Sequence, residues 1–205
     1  MKVLIINGSP HPKGCTARAL KEVADTLESQ GIETETLIVG NKDIRGCIGC
    51  YKCQQTGKCV FNDLVNETAP KLKEVEGVVI GTPVYYAHAN GTLISFLDRL
   101  FFSTLFPKTM KVGATVVSSR RAGSTSAFDD INKYFTMTGM PVASSTYWNE
   151  VHGFTSEDVE KDLEGLQTMQ NLGKSMSFLI KSIRLGDTDL GKPELTNNLR
   201  THFIR

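Results

Sequence analysis

The sequence predicts a doubly wound α/β domain, a five-stranded parallel sheet in the order 2-1-3-4-5 with helices on both faces. Three observations predict it. Short apolar runs rich in β-branched residues alternate along the chain with longer segments of helical period. The first run is apolar at consecutive rather than alternate positions, as a strand buried on both faces must be. Glycine-bearing loops follow the first, third and fourth runs, and in this strand order those loops converge on one crevice beyond the carboxyl ends of the strands.

Residues 2–7 (KVLIIN) form the first strand, and the loop from Gly8 to Gly14 leads into a helix over 16–30, with Leu20, Val23, Ala24 and Leu27 at helical spacing. Gly31 is placed to end that helix, and a strand at 32–39 completes a βαβ unit. The stretch 40–62 has no periodicity and reads as an ordered surface loop. Asp63 is a helix cap for 64–75, with Pro70 marking a break or kink inside it. The remaining strands are expected at 77–82, 111–118 and 142–147, and the helices at 91–104, 125–138 and 156–183. One domain over 1–185 and a polar tail over 186–205, carrying Pro193, complete the organisation.

A chain of 205 residues with 40% hydrophobic and 22% charged content has the composition of an ordinary globular domain. The net charge of +1 and a longest basic run of only Arg120-Arg121 argue against nucleic acid as a partner. No apolar run approaches a bilayer's thickness, and Val3 to Ile6 is too short for a secretory core, so a cytoplasmic protein with no membrane partner is expected. Four of the five cysteines, Cys47, Cys50, Cys53 and Cys59, crowd into one loop. In a reducing compartment that crowding points to chemistry other than disulfides.

The first loop, Gly8-Ser9-Pro10-His11-Pro12-Lys13-Gly14-Cys15-Thr16-Ala17, runs from a buried strand into a helix start. Hydroxyls at Ser9 and Thr16 and the free N–H groups of the first helical turn suit a terminal phosphate. The loop lacks the Gly-Lys-Ser/Thr ending of a nucleotide-triphosphate loop and the G-x-G-x-x-G fingerprint. The third loop, Gly81-Thr82-Pro83-Val84-Tyr85-Tyr86-Ala87-His88-Ala89-Asn90-Gly91, offers two tyrosines and permissive backbone to a planar heterocycle, although two tyrosines taken alone are more often packing residues. The fourth, Ser118-Ser119-Arg120-Arg121-Ala122-Gly123-Ser124, brings two guanidinium groups that suit a negatively charged ligand, or that simply face water.

These three segments in order resemble the NAD(P)H-dependent FMN reductases of the flavodoxin-like superfamily: G-S-P-x-x-x-G-x-T, then G-T-P-V-Y-Y-A-x-x-N-G with L-x-x-F-L-D-R over Leu93 to Arg99, then S-R-R-A-G. The resemblance covers roughly residues 1–183 and implies the flavodoxin-like fold, bound FMN and NAD(P)H as co-substrate. It assigns FMN phosphate binding to Ser9, His11, Cys15, Thr16 and Ala17. Ring contacts fall to Pro83, Val84, Tyr85, Tyr86, Asn90 and Gly91, and Ser119, Arg120, Arg121 and Gly123 close the site. His11 stands where the family often has arginine.

Cys47-x-x-Cys50-x-x-Cys53 with Cys59 following resembles the cysteine motif of the iron-sulfur flavoproteins, which implies metal ligation by all four and a [4Fe–4S] cluster. Bare reduced thiols and tetrahedral zinc are the alternatives that the residues leave open. The expected activity is electron transfer from NAD(P)H through FMN to a small-molecule or protein acceptor, without a catalytic side chain. The rivals are an electron relay fed by a ferredoxin-like donor, and a thiol or metal sensor. A homodimer or homotetramer is expected, with Trp148 at a strand end or subunit interface, Asp129-Asp130 on a solvated helix face, and His152 and His202 structural or exposed.

Overall fold

Consecutive apolar residues in Val3-Leu4-Ile5-Ile6 point alternately to two opposite cores, and both are filled. The computed structural model describes residues 1–196 together with 199, 201 and 203. The central strand β1 (Lys2–Asn7) sends Val3 and Ile5 into a core built with Val23 and Leu27 of α1 (Cys15–Ser29) and with Met169 and Leu172 of α7 (Leu163–Asp189). Leu4 and Ile6 enter the other core, against Leu72 of α3 (Leu64–Glu74), Leu93 and Phe96 of α4 (Gly91–Ser103) and Phe135 of α5 (Ser124–Met137). Burying one such side chain stabilises by roughly 1.5–3 kcal/mol, so the two-sided strand is the mechanical centre of the domain.

The sheet is parallel throughout, in the order β2 (Glu33–Ile38), β1, β3 (Gly77–Pro83), β4 (Val112–Ser119), β5 (Glu150–His152). Asp63 caps α3 by accepting the Val65 N–H at 3.1 Å, and the helix continues through Pro70 without a break.

Two elements depart from the sequence expectation. Residues 142–147 do not form the fifth strand: Val142 makes one bridge to Gly113, and the ladder resumes at Glu150–His152 against Val117–Ser119. Ser145 explains the interruption, because its Oγ lies 2.8 Å from the Tyr147 carbonyl and 2.7 Å from Asn149 Oδ1, turn bonds that compete with a ladder. Trp148 therefore lies in this turn, half exposed and edge-on to Tyr147, rather than at a strand end. The helix expected over 156–183 is two, α6 (Ser156–Val159) and α7. Thr155 closes a capping box with Asp158, and Asp162 starts a second helix by accepting the Gly165 N–H at 2.9 Å. α7 runs past Gly186 to Asp189, so the expected start of the tail lies inside a helix. His202 lies outside the described residues, as do parts of the tail. Among the described residues no helix is long and apolar enough to cross a membrane.

Candidate functional site

The β1–α1 loop starts with a side chain that the sequence reading passed over. Asn7, buried at the end of β1, accepts the Ser9 N–H on its Oδ1 at 2.9 Å, and Ser9 Oγ accepts the His11 N–H at 3.1 Å. The loop is thereby turned onto α1, whose cap is Gly14 with no side-chain acceptor. The N–H groups of Cys15, Thr16 and Ala17 find no partner among the described residues and face the crevice end of the sheet with the positive end of the helix dipole. Neighbouring Gly40 lets the chain leaving β2 pass against this loop, where an added methyl would lie 2.2 Å from the Gly8 carbonyl oxygen.

Ser118, at the end of β4, gathers the three loops. Its Oγ is 2.7 Å from Thr16 Oγ1, a buried pair, and its carbonyl accepts the Val84 N–H at 3.1 Å. Gly123 presses the fourth loop onto the third: a methyl there would sit 3.0 Å from Ala87 Cα and 3.1 Å from Val84 Cγ1, at a φ of +91°. In the third loop Tyr85 and His88 exchange backbone hydrogen bonds at 2.9 Å, and the two residues between them, Tyr86 and Ala87, both take left-handed φ values of 51° and 62°. Such backbone costs a non-glycine residue about 1–3 kcal/mol, and here it projects a fully exposed Tyr86 over the rim.

A fourth wall comes from the β5–α6 turn. Ser119 Oγ lies 3.1 Å from His152 Nδ1, the Ser119 carbonyl accepts the Gly153 N–H at 3.1 Å, and Cys15 Sγ donates to the Gly153 carbonyl at 3.5 Å. Burial pushes the Cys15 thiol up, partly offset by a backbone N–H, and the carboxylates of Asp158 and Glu157 push it further. These surroundings disfavour the thiolate form of Cys15.

The structure brings Ser9, Cys15, Thr16, Ala17, Pro83, Val84, Ser119 and Gly123 to this crevice end, with Tyr85 and Tyr86 at its rim. His11, Arg120 and Arg121 are exposed, and neither arginine makes an ion pair among the described residues. Asn90 is buried and its Oδ1 is already engaged, accepting the Thr92 and Leu93 N–H groups as the cap of α4. Gly91, exposed beside it, opens that helix. Asp130 is not a free solvated carboxylate: it lies 3.3 Å from His88 Nδ1 and accepts the Ala89 N–H at 3.4 Å, tying α5 to the tyrosine loop. Asn7 and Ser118 were detectable in principle as polar residues closing apolar strands. His152 and Gly153 had no such signal, because the strand that carries them was misplaced.

The cysteine loop is a separate feature. Cys47, Cys50, Cys53 and Cys59 border one pocket with Ile48 and Phe102. Cys47 and Cys50 are exposed and Cys59 half-buried, while Cys53 is buried at the start of a short helix, α2 (Cys53–Thr56), where the sequence predicts loop throughout 40–62. Three of the sulfurs accept hydrogen bonds: Cys47 from the Gly49 N–H at 3.5 Å, Cys53 from Gln54 Nε2 at 3.9 Å, and Cys59 from Arg99 Nε at 3.3 Å. Among the described residues no three His, Cys, Asp or Glu side chains are arranged to hold a metal ion.

Comparison with known proteins places these features in context. The sequence model described as NADPH-dependent FMN reductase matches residues 1–155. An iron-sulfur flavoprotein of Methanocaldococcus jannaschii is 33% identical over 192 residues, covering 90% of this chain and 100% of the relative. An iron-sulfur flavoprotein of Methanosarcina thermophila is 26% identical over 188 residues, covering 90% of this chain and 97% of its own. Among solved structures, RosB with a bound 8-demethyl-8-formylriboflavin-5'-phosphate intermediate superposes with a TM-score of 0.72 at 15% identity, over 99% of this chain and 92% of RosB. A flavodoxin from the domain Archaea superposes with a TM-score of 0.58 at 18% identity, over 88% of this chain and 99% of the flavodoxin. At these identities the structural likeness establishes the flavodoxin-like fold.

Proposed function

The chain belongs to the NADPH-dependent FMN reductase family, in its iron-sulfur-flavoprotein-like group, and from that premise we propose that it is an FMN-dependent oxidoreductase carrying electrons from NAD(P)H to a small-molecule or protein acceptor. One observation carries the reading. Ser118 ties the loops after β1, β3 and β4 together beside a helix start whose N–H groups find no acceptor among the described residues. That is the polar environment a terminal phosphate requires, with the exposed rings of Tyr85 and Tyr86 at its rim.

FMN, when bound, supplies acceptance of hydride from a nicotinamide and release of electrons to an acceptor. The chain's residues supply binding and orientation. The N–H groups of Cys15, Thr16 and Ala17, with the hydroxyls of Ser9 and Thr16, would hold the phosphate, and His11 stands at the open side. Pro83, Val84, Tyr85 and Tyr86 would border the ring, while Asn90 fixes the start of α4 and so the position of Gly91. Arg120 and Arg121, which make no ion pair among the described residues, are available to negative charge on the nicotinamide nucleotide's phosphates or beside the ring. Burial and the carboxylates of Asp158 and Glu157 disfavour a thiolate at Cys15, so its contribution to the site is through its backbone N–H.

A second reading is favoured by the cysteine pocket. Four cysteines on one pocket, three of them already accepting hydrogen bonds, are a chemically suitable donor set for a [4Fe–4S] cluster, which when bound supplies one-electron steps. Cys47 and Cys50 lie exposed on a loop with left-handed backbone at Gly49 and Tyr51, while Cys53 and Cys59 sit deeper in the pocket. The test is anaerobic reconstitution of the parent chain and of Cys53→Ser, with iron, zinc, acid-labile sulfide and FMN counted on the same samples. Stoichiometric FMN with iron and sulfide that vanish in Cys53→Ser supports the flavin and cluster relay. Stoichiometric FMN with zinc or no metal removes the relay and leaves the plain reductase. A parent that retains no FMN refutes both.

A further inference from the structure

The apolar face of α4 is interrupted by one charged residue that the flavin site does not use. Leu93, Phe96, Leu97 and Leu100 of α4 are fully buried, and Arg99 among them is only 1% exposed. A leucine or methionine would fill such a place without desolvating a charge, so the guanidinium needs a reason of its own. Its five donors are all engaged. Nη1 and Nη2 grip the two carboxylate oxygens of Asp63 at 2.7 and 2.9 Å and reach the Arg45 and Phe61 carbonyls at 3.2 and 3.4 Å. The remaining donor, Nε, points at Cys59 Sγ from 3.3 Å.

The guanidinium has no freedom to turn away. It lies over the Phe61 ring at 5.0 Å, and Arg45 lies over the same ring at 4.6 Å. Asp63 is held in turn as the cap of α3. Cys59 is fixed a second time through its backbone, where Asn66 accepts its N–H and donates to its carbonyl, both at 2.9 Å. The other two hydrogen-bonded sulfurs depend on donors one or two residues away in the same segment, Gly49 for Cys47 and Gln54 for Cys53, the latter also donating to the Phe102 carbonyl at 3.2 Å. Among the described residues Cys59 is therefore the one sulfur of the four bonded to a donor on a distant, rigid element.

We propose that Arg99 is the positioning residue of the cysteine pocket: it holds Cys59 as the fixed ligand against which the other three cysteines complete the set. With a cluster bound, the same Nε–H would be available to the Cys59 sulfur and would raise the cluster's reduction potential. The inference rests on the cluster reading above. The electrostatics agree in sign, because donors to sulfur stabilise the added negative charge of the reduced state.

The experiment compares the reconstituted parent with Arg99→Lys and Arg99→Gln, measuring iron and sulfide content, cluster midpoint potential, FMN content and far-ultraviolet circular dichroism. Both variants should bind iron about 10-fold or more weakly, as loss of an outer hydrogen bond to a ligand does. Whatever cluster they retain should have a more negative potential, with FMN content and dichroism unchanged. Parental iron content and potential in both variants overturn the proposal. If both variants lose their fold, the parent grown on ¹⁵N-arginine decides the matter: a ¹⁵N coupling to the reduced cluster in electron-nuclear double resonance supports the bond, and its absence overturns it. A parent that binds no iron takes down the cluster reading and this inference with it, an outcome distinct from iron bound without any Arg99 effect.

Discussion

Replacing Thr16 by valine removes one hydroxyl from the floor of the crevice and keeps its shape. Thr16 is 1% exposed and its Oγ1 lies 2.7 Å from Ser118 Oγ, so solvent cannot substitute for what is lost. If the phosphate sits on the first turn of α1, the hydroxyl donates to a charged oxygen, a bond worth about 1.5–3 kcal/mol. At tenfold per about 1.4 kcal/mol, FMN affinity should fall by roughly 10- to 150-fold. Ser118 also loses its partner, which should cost about 1 kcal/mol of stability and lower Tm by roughly 2–4 °C in a domain of this size. Titration of FMN into apoprotein, followed by quenching of flavin fluorescence, measures the first quantity, and a thermal melt without flavin measures the second. Ser118→Ala should weaken FMN less, since its hydroxyl acts through Thr16, and the double variant should lose less than the sum of the two. Parental affinity in Thr16→Val, with the stability loss present, would refute the phosphate assignment while leaving the Thr16–Ser118 bond as a structural link.

Further expectations concern charge and assembly. Arg120→Ala with Arg121→Ala should raise KM for NAD(P)H about 10-fold or more while FMN content holds, and an unchanged KM in steady-state assays would assign both arginines to solvent. Lys108 is buried, donates to the Thr104 carbonyl at 2.6 Å, and is pushed down from 10.5 to about 8, first by burial and then by Lys111. Between those pH values the unfolded chain binds a proton that the folded chain lacks, so this penalty is full below about pH 8 and fades as pH rises towards 10.5. Urea melts at about pH 7 and about pH 9.5 should show the parent gaining stability relative to Lys108→Met, and parallel curves would contradict the shift. We also propose a homodimer or homotetramer, for which half-exposed Trp148 and exposed Phe178 and Leu185 offer apolar surface; a monomer mass by light scattering at micromolar concentration would contradict it.

Much of the fold was legible because its causes are local in the chain. The consecutive apolar residues of Val3 to Ile6 and Val78 to Ile80 can only be strands covered on both faces, and the helical spacing of Leu20, Val23 and Leu27 follows from a single buried stripe. Asp63 as a cap was legible for the same reason, since its acceptor and the N–H it satisfies are two residues apart. The fifth strand was misplaced because Pro141 to Tyr147 has strand-like composition, and what disqualifies it is a set of turn bonds made by Ser145.

The sequence by itself determined which segments become strands and helices, and therefore which three loops lie at one end of the sheet, because hydrophobic period and turn chemistry act over a few residues. Tertiary structure alone decided that Ser118 joins Thr16 across 102 positions, that Asn90 spends its oxygen on a helix cap, that Asp130 reaches the tyrosine loop, and that a buried Arg99 reaches Cys59 across 40 positions. The physical reason is the directionality of hydrogen bonds. A buried polar group must find a partner within about 3 Å, and which partner stands there depends on how elements far apart in the chain pack, which no local pattern encodes.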